Sequence, residues 1–222
     1  MTRVLGVDGC RTGWVAVALV DGRFVEARLV TGFGELLEDP ATVIGVDIPL
    51  GSVGASRAAD REARQLLGPR GASVFAALPR EGFDAPDYAT ANRAVRERYG
   101  VGVSAQAWNL APKMRDVEPH WQAAPERIVE VHPELSFRAM AGVPMAQSKH
   151  TWAGLRARLA LLVGVGIVVP DDPGPAGTAG ADDVVDAAAV AWSAARVAAG
   201  RAERVPVDDE RDAAGRLVTI SW

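Results

Sequence analysis

Short apolar runs broken by turn residues open the chain. Val4-Leu5-Gly6-Val7 ends at Asp8, turn residues fill Gly9–Gly13, and Trp14–Val20 is apolar and rich in β-formers. Asp21-Gly22 is a hairpin signal, and Phe24–Val30 completes an expected antiparallel meander of three strands. A short helix is expected over Phe33–Leu37, closed by Asp39-Pro40. Val43-Ile44-Gly45-Val46 is a second buried-type run, and Pro49 stops further ladder pairing after Asp47-Ile48. Leu5-Gly6-Val7-Asp8 and Ile44-Gly45-Val46-Asp47 echo each other, with glycine two residues before the aspartate in each. The echo predicts two neighbouring strands that end alike.

Beyond residue 50 the period lengthens to that of helices. Ser56–Leu67 is a helix candidate carrying Arg57, Arg61 and Arg64 on one face. Residues 68–126 are the least regular part, with expected helices at Tyr88–Tyr99 and around Ser104–Asp116, and they read as an insertion or lid. Ile128–Val131 is a third buried-type run, and Pro133–Ala141 reads as a helix with proline at its first position. Thr151–Val163 is expected to be helical, with Trp152, Leu155, Leu159 and Leu162 at core spacing. A Pro/Gly loop over Pro170–Gly180 leads into a long alanine-rich helix, Ala181–Ala199, whose small face should lie close to a sheet. Leu217–Trp222 is expected as a last strand. Hairpins first and strand–helix–strand crossovers later imply an α/β fold with a mixed sheet and helices on both faces.

Composition narrows the class. With 222 residues, 49% of them hydrophobic and 23% charged, the chain reads as one globular domain with its own core. The single cysteine, Cys10, excludes an intrachain disulfide or a cysteine-built zinc site. The opening MTRVLGVDG lacks the apolar core of a signal peptide, and no apolar run is long enough for a membrane span, so a soluble cytoplasmic protein is expected. The net charge of -4 argues against a protein that coats polyanions. It leaves room for a nucleic-acid enzyme whose positive field comes from metals and a few cations. Lys113 and Lys149 are the only lysines in an otherwise arginine-based set.

The candidate chemistry is acidic. Asp8, Asp47 and Glu130 fall at or near expected strand ends, where open α/β sheets bind ligands. Asp183 and Asp186 stand three apart on the alanine-rich helix and share a face. Clustered carboxylates repel, and a divalent cation removes that penalty. Oxygen-only donors favour Mg²⁺ or Mn²⁺, and a pair of such ions can drive phosphodiester hydrolysis. Each acid also has a structural reading: Asp8-Gly9 as a turn, Asp47 as a helix cap, Glu130 paired with an arginine, and the helix acids as partners of the macrodipole. Arg11, Lys113, Arg115 and Lys149 are candidate phosphate contacts, and His132 is a candidate proton carrier or a hydrogen-bonded core histidine. Cys10 reads as packed, and Trp108 and Trp121 are candidates for stacking a base.

Several motifs occur in order: Val7-Asp8-Gly9-Cys10-Arg11-x-Gly13-Trp14, Asp47-Ile48-Pro49, Pro112-Lys113-x-Arg115, Glu130-Val131-His132-Pro133-Glu134, Ser148-Lys149 and Asp182-Asp183-x-x-Asp186-Ala187. The chain resembles the DUF 429 family of predicted RNase H-like nucleases over essentially its whole length. The resemblance implies a ribonuclease H-like fold, with a five-stranded mixed sheet flanked by helices and a helical insertion after the fourth strand. It implies metal ligation by Asp8, Asp47 and Asp186. Asp183 resembles the paired helix acids of RuvC-type resolvases, and Glu130 follows the superfamily pattern less closely. The expected activity is metal-dependent hydrolysis of RNA or DNA with Mg²⁺ or Mn²⁺. The alternatives are an actin- or sugar-kinase-like ATPase acting as a dimer, and a non-catalytic binding protein on the same fold. The oligomeric state stays open.

Overall fold

The computed structural model describes all 222 residues. A five-stranded sheet in the order β3-β2-β1-β4-β5 forms its centre. Its strands are β1 (Arg3–Cys10), β2 (Gly13–Val20), β3 (Arg23–Val30), β4 (Val43–Val46) and β5 (Ile128–Glu130). The first three form an antiparallel meander, and β4 and β5 run parallel to β1. A 3₁₀ turn over Phe33–Glu38 links the meander to β4. Between β4 and β5 come α1 (Ala58–Leu67), a 3₁₀ turn over Gly68–Ser73, α2 (Arg80–Phe83), α3 (Tyr88–Tyr99) and α4 (Ala105–Ala123). After β5 come α5 (Pro133–Ala141), α6 (Trp152–Gly164), a 3₁₀ turn over Gly174–Thr178 and α7 (Ala181–Ala198). A small two-stranded sheet, β6 (Arg204–Val205) with β7 (Ile220–Ser221), closes the chain.

Each face of the main sheet buries its own core, because alternate side chains of a strand point opposite ways. Leu5, Val7, Ala16, Ile44, Val46 and Ile128 face α4 and the first 3₁₀ turn. Val4, Val15, Val17, Leu19 and Val43 face α7. The echo between β1 and β4 is spatial: Leu5 pairs with Ile44, Gly6 with Gly45 and Val7 with Val46. Its glycines let α7 lie directly on the sheet. A Cβ at Gly6 would stand 2.0 Å from Ala191 N and 2.2 Å from Ala187 O, and one at Gly45 would stand 3.0 Å from Val190 Cγ1. No side chain fits at Gly6, and the small face of α7 (Ala187, Ala188, Ala191, Ala194) completes the close approach.

Several expectations need correction. The helix expected around Ser104–Asp116 runs on to Ala123 through Pro112 and Pro119. Each proline removes one helical hydrogen bond, but Ala107, Ala111, Met114, Val117 and Trp121 bury a continuous stripe against the sheet. Trp152, expected in the core, is 77% exposed. It is the first residue of α6, in which Leu162 is buried in the core and Leu155 and Leu159 pack against it half-buried. Arg57, expected within a helix on one face with Arg61 and Arg64, is instead the buried N-cap of α1. The expected last strand contracts to Ile220–Ser221, which pairs with β6 and touches the main sheet only through a bridge from Ser221 to Val131. No helix is long and apolar enough to cross a membrane.

Candidate functional site

The carboxyl ends of β1, β4 and β5 open into a cleft of about 540 Å³. Sheet geometry and the placement of α7 assemble it. Asp8 lies two residues beyond Gly6, and Asp47 two beyond Gly45, so both carboxylates leave the sheet on the face that α7 covers. Ala187 and Ala191 straddle Gly6, and the residues that precede them on α7, Asp186 and Asp183, line the same cleft as Asp8 and Asp47. The backbone secures the second strand end, where Asp47 N donates to Val7 O at 2.9 Å.

Lys149 carries the positive charge of this cluster. Its Nζ lies 2.5 Å from Asp186 Oδ2 and 3.7 Å from Asp182 Oδ2, and His150 Nδ1 lies 3.1 Å from Asp182 Oδ2. Asp8, only 7% exposed, and Asp47 accept no hydrogen bond from the protein. Burial and then the neighbouring Asp47 and Asp186 charges hold Asp8 well above the usual carboxylate range. Burial lifts Asp47 to about 7 against the pull of Lys149, and lifts Asp186 to about 6 against the same pull. Asp183 is raised by burial and by Asp182, and its Oδ2 accepts from Gly180 N at 3.1 Å. Burial alone would lower Lys149, but Asp186 and Asp8 more than offset it, so the ammonium is held charged.

The remaining sequence candidates divide by what they already bind. Glu130 borders the cleft but points the other way. It pairs with Val46, and its side chain lies on the Ile128 face of β5, opposite Asp8 and Asp47. There Arg57 grips both its oxygens, at 2.6 and 2.7 Å, while Leu50 N donates to Oε2 at 2.6 Å. Burial raises Glu130, and Arg57 opposes that rise. The same guanidinium holds Asp60 at 2.5 Å, so this buried triad fixes the path from Leu50 to α1. His132 caps α5: its Nδ1 accepts from Glu134 N at 3.2 Å, which leaves Nε2–H to donate to Ser73 O at 3.2 Å. Burial lowers its pKa, in keeping with a neutral ring.

Lys113 donates to Gly13 O and sits 4.4 Å above the Trp14 ring, and burial lowers its pKa. Arg11 lines the cleft exposed, with no ion pair or side-chain hydrogen bond. Arg115 lies outside the cleft. Its guanidinium bonds Phe83 O at 2.7 Å and Ala85 O at 3.2 Å and stacks against Trp108. Trp121 is buried against the sheet. Cys10 is buried and makes only a 3.7 Å contact with Thr12 Oγ1.

The cleft also contains residues to which sequence reasoning gave no role. Glu134 is buried, with Oε1 2.5 Å from Arg158 and 3.6 Å from Arg70, and its Oε2 has no partner. Arg70 and Phe75 form the wall contributed by the segment after α1. Glu134 carried a signal, since it sits in the run Glu130–Glu134. Arg70 and Phe75, inside an irregular stretch, carried none.

As a cation site the cleft is half committed. The carboxylate oxygens of buried Asp8 and half-buried Asp47 are free and suited to a hard divalent ion. Asp186 is engaged by Lys149, and no three His, Cys, Asp or Glu side chains stand together at ligating spacing. The donor chemistry therefore fits Mg²⁺ or Mn²⁺ at Asp8 and Asp47, while Lys149 occupies Asp186.

No curated protein and no solved structure matches the chain. The family model DUF429, described as a protein of unknown function, matches residues 6–211, a span that runs from the glycine under α7 past every carboxylate of the cleft. The chain belongs to the DUF429 family.

Proposed function

We propose that the protein is a metal-dependent nuclease built on a ribonuclease H-like domain, hydrolysing phosphodiester bonds in RNA or DNA. The strand order, with an antiparallel meander joined to parallel β4 and β5, supports that fold identity. The segment 68–126, which carries most of the extra helices, would be the insertion that shapes the substrate groove. One observation carries the reading: the carboxylates of buried Asp8 and half-buried Asp47 have no hydrogen-bond partner in the protein and line a single cleft with Asp186. Leaving such charges unpaired is costly in a protein that does not use them.

Asp8 and Asp47 would hold Mg²⁺ or Mn²⁺, with Asp186 completing the set. A bound ion supplies an activated water and stabilises the leaving oxygen in phosphodiester hydrolysis. The chain's own residues do the rest. Lys149 offers a charged ammonium to the phosphate or to Asp186. Arg11 at the rim contacts a phosphate without giving up an existing bond. Lys113, held by Gly13 O and the Trp14 ring, sets the field beside Asp8. Glu130 and His132 act indirectly, by fixing the Leu50–Arg57 turn and the start of α5.

Lys149 on Asp186 and Arg57 on Glu130 also favour a second reading, a binding protein whose carboxylates are neutralised internally. Cleavage of labelled RNA and DNA in Mg²⁺ or Mn²⁺ separates the two. Asp8→Asn and Asp186→Asn are expected to abolish cleavage while the fold is retained by circular dichroism. Cleavage that survives both substitutions in a clean preparation rejects the nuclease reading.

A further inference from the structure

Part of the cleft wall is a short segment, residues 70–75, with unusual anchoring. Arg64 holds Val74 O through two bonds, at 2.9 and 3.1 Å, and His132 Nε2 lies 3.2 Å from Ser73 O. Ser73 Oγ closes back on Arg70 O at 2.8 Å, and Val74 buries its side chain with Ala59, Ala63 and Leu67. Beside this fixed point Phe75 is left 41% exposed on the cleft wall. Arg70 lines the same wall, with its Nε unbonded and its NH2 3.6 Å from Glu134 Oε1. A rigid backbone thus brings an exposed aromatic ring and a guanidinium to the same cleft as the carboxylates. An exposed phenylalanine on a held segment is the arrangement that stacks a base in single-strand binding proteins, and a nearby guanidinium contacts backbone phosphate.

We propose that residues 70–75 form the subsite for one unpaired nucleotide, with its base stacked on Phe75 and its phosphate against Arg70, so that the substrate is single-stranded. This rests on the nuclease reading and names its substrate class. Two further observations favour a single strand over a duplex. The cleft, about 540 Å³, is of the size that encloses a small ligand, so a base enters it only when unpaired. Duplex binding draws its affinity from many phosphate contacts, whereas the chain carries a net charge of -4.

The test is binding by fluorescence anisotropy to short fluorescein-labelled single strands of DNA and RNA and to the same strands annealed as blunt duplexes. It uses full-length protein carrying Asp8→Asn, in Mg²⁺, with Phe75→Ala, Phe75→Leu, Phe75→Trp and Arg70→Gln added in turn and each fold checked by thermal melting. The expected result is tighter binding of one single strand than of its duplex, a loss of about tenfold in Phe75→Ala and Phe75→Leu, and retention in Phe75→Trp. Arg70→Gln should weaken the strand and flatten its salt dependence. Equal affinity for strand and duplex, or Phe75→Leu binding as tightly as Phe75, overturns the proposal. A nucleoside monophosphate that competes as well as the strand overturns the strand as its source. Cleavage by the chain with Asp8 intact that is unaffected by adding Phe75→Ala refutes the subsite and leaves the nuclease standing. Phe75-dependent strand binding without any cleavage does the reverse.

Discussion

Replacing Asp47 by asparagine removes a charge from the cleft and keeps its shape. In the folded protein burial lifts this carboxyl from the ordinary 3.8 to about 7. Between those values the native state holds a proton that the unfolded chain has lost, so stability falls as pH rises through the window. Converted at ~1.4 kcal/mol per tenfold change in protonation, the whole rise corresponds to an upper bound of roughly 4 kcal/mol, fully present above pH 7. About 2–3 kcal/mol of that falls between pH 5 and 8. Asp47 keeps some contact with solvent, which lowers the figure to roughly 1–2 kcal/mol. Asp47→Asn is therefore expected to be more stable than the parent at pH 8, and the gap should shrink by about that amount at pH 5. The assay is urea unfolding of both proteins at the two pH values in chelator. Millimolar Mg²⁺ should then stabilise the parent at pH 8 more than the variant. Parallel pH profiles for the two proteins would refute the reasoning, since they would mean that Asp47 ionises in the folded state without penalty.

Other substitutions probe the frame around the site. Gly6→Ala places a Cβ 2.0 Å from the α7 backbone and should cost more than ~3 kcal/mol or prevent folding, as read by thermal melting. Arg57→Met strands Glu130 and Asp60 as buried acids and should cost ~3–5 kcal/mol at neutral pH, and adding Glu130→Gln should recover part of that loss in the same melts. Lys149→Met removes the internal cation, so Mn²⁺ should raise the melting temperature of this variant more than that of the parent, whereas an equal rise would show that Lys149 and the metal do not share Asp186.

Much of this architecture was legible because it repeats a simple pattern. Gly-Val-Asp at the ends of two apolar runs announced parallel neighbours, and the alanine face of the last long helix announced what would lie on their glycines. Those signals are local: strand period, helix period and side-chain size. What escaped depends on register and distant partners. Glu130 looked like a third strand-end acid, but its pairing with Val46 puts it on the opposite face, and nothing in the sequence fixes that parity. Arg57 shared a helical face with Arg61 and Arg64, yet it turns inward because Glu130 and Asp60 meet it there. Trp152 had core spacing, but it begins its helix and has no layer above it. The helix expected around Ser104–Asp116 continues through Pro119 to Ala123, where Val117 and Trp121 are buried. Arg115 stood in a basic motif and serves the carbonyls of Phe83 and Ala85 instead of the cleft.

The proposed nuclease activity requires Asp8, Asp47 and Asp186 to form one cation-holding centre around Lys149. Mn²⁺ binding, read by paramagnetic resonance on the full chain and on Asp8→Asn and Asp186→Asn, tests it most directly. Saturable binding by the parent is expected, with at least about tenfold loss in each variant. Binding that is unchanged in both variants, or absent from the parent at millimolar Mn²⁺ with a nucleic-acid strand present, would contradict it.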